Sequence, residues 1–394
     1  MLDEKLLQER LNQFKPEPLV DFKHDPNNIY EIPAVVESED VVDLAKTNFL
    51  DVLNDEGIKR TAEETIRKYG VGTCGPRAFY GTTDVHLTLE EKLASFLRAE
   101  ECIIYSYGFV AISSSIAAYT NKRDVVFIDK EANFPIQQGL QASKSRVVRF
   151  DHNDPESLFR EAEKVKAEEN KKKPSRKFLI IEGISWKTGK LCPLPRFIEV
   201  AEMFKMRIFL EESYTLGILG ESGKGLTEHF DIPIEKIDMS FGTIEGALGS
   251  IGGYCAGSHA VIEHQRLSGS GYIFSASLPT YLAQIVIKSL DILQDKPRRF
   301  ARIAREFHQF LEDCGFLVIS DPVAPFKVFT VKNKENRSEL EIEIHKFCAN
   351  EGVHFIQGEN GLVINLNVAL LEEAEKLDKV HRVLEKAISS IVDH

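Results

Sequence analysis

A chain of 394 residues, 43% hydrophobic and 28% charged, is long enough for one large and one small packed domain, which excludes extended disorder as its default state. A net charge of −12 removes any global attraction to nucleic acid or anionic lipid, so an acidic ligand would need a local site. Cys74, Cys102, Cys192, Cys255, Cys314 and Cys348 are scattered, with no CxxC pair and no histidine cluster. That pattern argues against a metal centre and reads as reduced thiols facing the cytosol.

The chain opens with MLDEKLLQERLNQF, an acidic-basic helical pattern that lacks the apolar h-region of a signal peptide. No run reaches the roughly 18–20 apolar residues that a bilayer span needs. Residues 1–60 read as an N-terminal arm: the polar helix, a Pro-containing stretch from Lys15 to Pro33, then the apolar NFLDVL.

Between 61 and 280, short β-branched runs alternate with amphipathic helices: CIIYSY (102–107), VVFID (125–129), RVVRF (146–150), KFLIIEG (177–183) and RIFLEE (207–212). Strands alternating with helices predict a large α/β domain with a mostly parallel sheet covered on both faces. The charge-dense run EAEKVKAEENKKKPSRK (161–177) reads as a solvated loop or helix extension. From 281 to 394 the pattern changes to a helix from Leu282 to Gln294, a DKPRR joint, a second amphipathic helix, the short runs FLVIS, FKVFTV and LVINLNV, and a closing helix, LEEAEKLDKVHRVLEKAISSI. This predicts a small α+β domain.

Four blocks carry the candidate chemistry. The first, YGVGTCGPRAFYGTTDVHLTLEEKLASFL (69–97), has Gly-rich turns leading to His86 and a helix. His86 reads as a satisfied structural histidine, and the neighbouring Cys74, Cys102 and Cys255 as packing residues. In the second, YSYGF (105–109), a strand ends in glycine just before a helix, where backbone N–H groups suit a phosphate. The third, FLEESYTLGILGESGKGLTEHF (209–230), is a strand ending in two carboxylates and a Gly-rich loop. It is not a nucleotide-binding P-loop, because Ile218 and Gly225 stand where a glycine and a Ser or Thr are required. The fourth is FGTIEGALGSIGGYCAG (241–257), followed by HQRLSGSGYIFSASLPTYLA (264–283).

In this order and spacing the blocks resemble the α-oxoamine synthase branch of the fold-type I pyridoxal-phosphate enzymes, over nearly the whole chain. The resemblance implies an α/β fold with a seven-stranded-type, mostly parallel sheet and a smaller α+β C-terminal domain. It also implies a strand-end aspartate to keep the cofactor ring protonated and a lysine to hold the cofactor covalently. On this sequence the aspartate falls at Glu211, a following histidine at Tyr214 and the lysine at Gly246. A cofactor-stacking histidine falls at Asn133, a serine before the lysine at Glu245, and a carboxylate-gripping arginine at Val363. The chain is therefore expected to have no catalytic residue of its own.

The runs KYGVGTCGPR, IIYSYGF, RIFLEES, GLTEHF, IGGYCAG and HQRLSGSGY, together with PEPLV in the arm, are similar to the lysine-less subunit lineage of the eukaryotic serine palmitoyltransferases. That resemblance implies an obligate heterodimer with a lysine-bearing catalytic homologue, whose pyridoxal phosphate this chain would help to hold in trans. Ser275, Ala276 and Ser277 fall at the positions that reach the partner's cofactor phosphate, and Asn133 and Phe274 at the interface and acyl channel. It further implies small regulatory subunits and the cytosolic face of the endoplasmic reticulum membrane, reached through a missing N-terminal helix or through the partner. Two other readings remain: a scaffold pseudoenzyme that binds its partner without touching the partner's site, and an autonomous enzyme using Lys187, Lys190 or Lys224.

Overall fold

The structure is a computed structural model and describes residues 41–169, 174–332 and 335–391. The opening helix and the PEPLV run lie outside the described residues, as does the centre of the 161–177 charge run. Strand β1 (Val42–Asp43) comes first. Seven strands follow in one sheet: β2 (Glu101–Tyr105), β3 (Val125–Asp129), β4 (Arg146–Phe150), β5 (Lys177–Glu182), β6 (Met206–Glu211), β7 (Met239–Thr243) and β8 (Gly253–Gly257). Their order is β2-β8-β7-β6-β5-β3-β4. Pairing is parallel from β7 to β4, while β8 runs antiparallel to both β2 and β7.

Period-two alternation explains why the central strands read as unbroken apolar runs. Val125, Phe127, Leu179 and Ile181 enter one core layer, whereas Val126, Ile128, Phe178 and Ile180 enter the other. The first layer is covered by helices Asp84–Leu97, Pro155–Glu168 and Leu194–Phe204, and the second by Gly108–Tyr119, Phe134–Ser143 and His259–Ser268. Edge strand β4 buries only Phe150 fully and exposes Arg146 and Arg149, a charged edge that discourages further strand pairing.

β7 and β8 are not among the runs that the sequence patterning picked out. MSFGT and GYCAG carry small residues because helix Gly108–Tyr119 packs straight onto them: a Cβ on Gly108 would lie 2.2 Å from Thr243 Cγ2. Steric clearance displaced the β-branched residues that announce the other strands.

The C-terminal part is a four-stranded antiparallel sheet of β9 (Leu317–Val318), β10 (Phe326–Thr330), β12 (Ile356–Gly358) and β13 (Gly361–Asn365), in the order β12-β13-β10-β9. The two-residue strand β11 (Val353–His354) pairs in parallel with β1. Helix Lys296–Asp313 packs on this part through Phe300, Ile303, Phe307 and Leu311 at three-to-four spacing. The expected helix over 282–294 spans Thr280–Asp291 instead, starting right after Pro279. The closing helix is broken at Glu373, whose backbone is extended, into Val368–Glu372 and Ala374–Ile391, and Asn367 caps the start of the first piece by accepting a hydrogen bond from the Leu370 N–H at 3.0 Å.

One buried ion pair fixes the Gly-rich segment 70–83 to this frame. Arg77 donates from both terminal nitrogens to Glu90 at 2.8 and 2.9 Å, and Glu90 Oε1 also accepts from the Ile104 N–H of β2 at 3.0 Å. Removing one partner of such a pair strands a charge, at a cost of about 3–5 kcal/mol. Chemical denaturation of Arg77→Met is expected to show a loss of that size. Adding Glu90→Leu should recover only part, because the Ile104 N–H then loses its acceptor, and a loss below about 1 kcal/mol for Arg77→Met would refute the anchoring role.

Candidate functional site

At the C-terminal ends of β5, β6 and β7 a cavity of about 270 Å³ is lined by Thr47, Ile112, Asn133, Phe134, Pro135, Trp186, Ser213, Tyr214, Thr243, Glu245 and Gly246. This is where an open α/β sheet places its ligand crevice. Gly246 sits in the one-turn helix Glu245–Leu248 that follows β7. A Cβ built there would lie 2.6 Å from Phe49 Cε2 and 3.0 Å from Cδ2. The Phe49 ring is fully buried, meets Phe300 edge-on at 6.2 Å between centroids, and belongs to a backbone that donates to the Gly246 carbonyl at 3.1 Å. The first carbon of any side chain at 246 would run into this phenyl ring.

Each displaced family position has a structural occupation. Glu211, at the end of β6, accepts from the Ser213 N–H at 3.0 Å and from the Ser213 hydroxyl, whose oxygen accepts from the Thr243 N–H at 2.9 Å. Burial pushes the Glu211 carboxyl up to about 7. Glu212, also raised to about 7 by burial, accepts from the Leu226 N–H at 3.1 Å and from the Thr215 hydroxyl, and so ties down the Gly-rich loop. Glu228 closes that loop by accepting from the Ser222 and Lys224 N–H groups at 3.1 and 3.0 Å.

Asn133 caps helix Phe134–Ser143 by accepting from the Ile136 N–H at 2.9 Å. Its N–H and side-chain amide donate to Glu182 at 3.1 and 3.3 Å, and Glu182 also accepts from the Trp186 N–H at 3.3 Å. Burial, and then repulsion from Glu211, holds the Glu182 carboxyl well above its usual range. Tyr214 packs edge-on against Phe326 at 5.0 Å. Val363 lies on β13 opposite Val328, away from the cavity lining.

These residues do not fit pyridoxal phosphate. No lysine or arginine lines the cavity, its one formal charge is the Glu245 carboxylate, and Asn133 is spent as a helix cap. The three alternative lysines lie elsewhere. Lys187 pairs with Glu131 and Glu359, both at 3.0 Å, Lys190 faces Asp321 at 3.9 Å, and Lys224 is part of the Gly-rich loop.

The segment 269–279 presents a second surface. Phe274 is 77% exposed, flanked by exposed Ala276. The Ser275 hydroxyl donates to the Gly271 carbonyl. Ser277 is buried and donates to the Gly75 carbonyl at 3.1 Å, so its hydroxyl faces inward. His86, fully buried, accepts from the Thr83 N–H at 3.1 Å and donates through Nε2 to the Leu278 carbonyl at 2.6 Å, which makes it the structural histidine expected. The Ser106 hydroxyl donates to the Ala276 carbonyl, and Pro76 bridges Ala276. Those bonds join three loops that expose Phe79, Tyr80, Tyr107, Phe109 and Phe274, a concentration of aromatic surface typical of interfaces.

Phe49, Phe134, Glu182 and Trp186 were not singled out in the sequence. NFLDVL carried an apolar signal but nothing to link it with a position nearly 200 residues later. Glu182 was visible only as the acidic end of an apolar strand.

Comparison with known proteins agrees with this geometry. The model of the family "Aminotransferase class I and II" matches residues 39–373. Long chain base biosynthesis protein 1b of Oryza sativa is 37% identical over 356 residues, which cover 87% of this chain and 74% of the relative. Serine palmitoyltransferase 1 of Dictyostelium discoideum is 38% identical, covering 79% of this chain and 67% of the relative. Serine palmitoyltransferase 1 of Saccharomyces cerevisiae is 37% identical, covering 72% and 53%. Among solved structures, the serine palmitoyltransferase of Sphingomonas wittichii superposes with a TM-score of 0.82 at 23% identity, covering 90% of this chain and 88% of that one, a likeness of fold. The chain belongs to the class I and II aminotransferase family and, within it, to the group of serine palmitoyltransferase 1 and long chain base biosynthesis protein 1.

Proposed function

We propose that this chain is the non-catalytic but required subunit of a serine palmitoyltransferase. That enzyme condenses L-serine with a long-chain acyl-CoA to give 3-ketosphinganine, carbon dioxide and CoA, the first step of sphingolipid synthesis. The observation that carries the reading is the Phe49 ring in the space of a side chain at 246. In the proposal a lysine-bearing homologue holds the pyridoxal phosphate, which supplies the electron sink for decarboxylation when bound. This chain offers the aromatic loops around Phe274 to that partner, with Ser275 and the exposed Ala276 backbone directed at the partner's site and Asn133 near its acyl channel. Hydroxyl and N–H donors suit a phosphate dianion.

Placement at the cytosolic face of the endoplasmic reticulum membrane, and contact with small regulatory subunits, rest on family resemblance. Among the described residues no helix is long and apolar enough to cross a membrane. Boundaries at 60 and 280, between arm, large and small domains, are part of the same proposal.

The purified chain alone is expected to form no 3-ketosphinganine, whereas co-expression with the lysine-bearing homologue should give a co-purifying, active complex. Full activity from the chain by itself would overturn the assignment.

Gly246→Lys is not expected to create a working site. Forcing a stem against Phe49 should cost about 1–3 kcal/mol by overpacking, seen as a lower melting temperature. Borohydride reduction with pyridoxal phosphate should leave position 246 unlabelled.

In the complex, Phe274→Ala should weaken assembly about tenfold or more, as loss of a buried aromatic anchor does. Ser275→Ala should lower turnover with the complex intact. Unchanged turnover and serine KM for Ser275→Ala would favour the scaffold reading instead.

A further inference from the structure

The cavity beside Gly246 occupies a place where its family binds an anionic cofactor, yet its charge has the opposite sign. Glu245 supplies the one formal charge among the lining side chains; the residue is exposed, accepts from the Gly252 N–H, and forms no ion pair among the described residues. Behind it the Glu182 and Glu211 carboxyls are buried without a cation. A phosphate brought here would meet carboxylates and no donor side chain of positive charge.

Three of the other lining residues are aromatic. Phe134, Trp186 and Tyr214 line the same space, and Tyr214 makes no hydrogen bond through its phenol among the described residues, although burial raises its pKa above the usual range. Partial burial likewise raises the Glu245 carboxyl, against which the Gly252 N–H holds it charged. Aromatic faces and a lone carboxylate around one small cavity form the arrangement that recognises alkylammonium groups. At about 270 Å³ the space lies just under the range of pockets for drug-sized ligands, so it suits a head group and a short apolar substituent.

We propose that this cavity is a binding site for an organic ammonium ion, with the cationic head between Glu245 and the rings of Phe134, Trp186 and Tyr214 and its apolar substituent toward Ile112. Every lining residue named comes from this chain, although Asn133 is also the residue placed near the partner's acyl channel, so the site is tested on the chain by itself and apart from any condensing activity.

Trp186 is the sole tryptophan of the chain and lines the cavity, so its fluorescence reports occupancy directly. The full-length chain would be titrated with hexyltrimethylammonium, hexanol and hexanoate, three probes of matched chain length and different charge. The ammonium is expected to give a saturable change in emission and to bind about tenfold or more tighter than hexanol, with hexanoate showing no saturation. Glu245→Gln should cost the ammonium about tenfold in affinity and leave hexanol unchanged. Should that variant fail to fold, Glu245→Asp and isothermal titration of Trp186→Phe replace it, with weakened ammonium binding expected in both. Equal binding of the three probes, an unchanged ammonium affinity in the Glu245 variants, or displacement of the ammonium by micromolar pyridoxal phosphate would overturn the proposal.

Discussion

The contact between Phe49 and Gly246 governs the rest of the molecule's chemistry. Phe49 donates its N–H to the Gly246 carbonyl, and its own carbonyl accepts from the Val368 N–H at 2.9 Å, so one residue ties the one-turn helix after β7 to the start of helix Val368–Glu372. Its ring packs in the core directly behind Gly246. Truncating a buried phenylalanine of this kind costs about 3–5 kcal/mol, so restoring room for a lysine would remove a piece of the core. The absent lysine and the packed ring are one structural solution, which is why the site cannot be reopened by a single change.

Once no cofactor has to be held, the polar groups around the cavity are free to serve the fold. Asn133 becomes a helix cap, Glu211 is satisfied by Ser213, and Ser213 passes the connection on to the backbone of β7. Glu212 and Glu228 pin the Gly-rich loop after β6. Burial, and for Glu182 and Glu212 also repulsion from Glu211, raises the pKa of all three carboxyls and favours their protonated forms, so the region offers a phosphate no positive charge.

Much of this was legible in the sequence, and the misses have physical causes. The five β-branched runs all gave strands of the large sheet: VVFID, KFLIIEG and RIFLEE became its largely buried parallel centre, RVVRF a parallel edge, and CIIYSY an edge antiparallel to β8. β7 and β8 escaped because close approach of helix Gly108–Tyr119 demands Gly, Ala, Ser and Cys there, residues that carry no strand signal. Gly246, Glu211, Tyr214 and Asn133 could be located by family resemblance because fixed spacing surrounds them. Their new partners could not, since Phe49, Glu182 and Trp186 reach the cavity from distant segments whose local pattern says only "apolar" or "strand end".

The outward loops depend on the same frame as the disused pocket. Thr243 receives the start of helix Gly108–Tyr119 on one side and Ser213 on the other, while Ser106, just before that helix, holds the Ala276 carbonyl. His86 fixes Leu278 from the helix that Arg77 and Glu90 anchor to β2. The exposed aromatic residues at 79, 80, 107, 109 and 274 are therefore mounted on a rigid base that runs through the old site. Packing around the pocket is also what holds those rings out for a partner. Losing the chemistry while keeping the fold follows directly, because the interior residues still carry the surface.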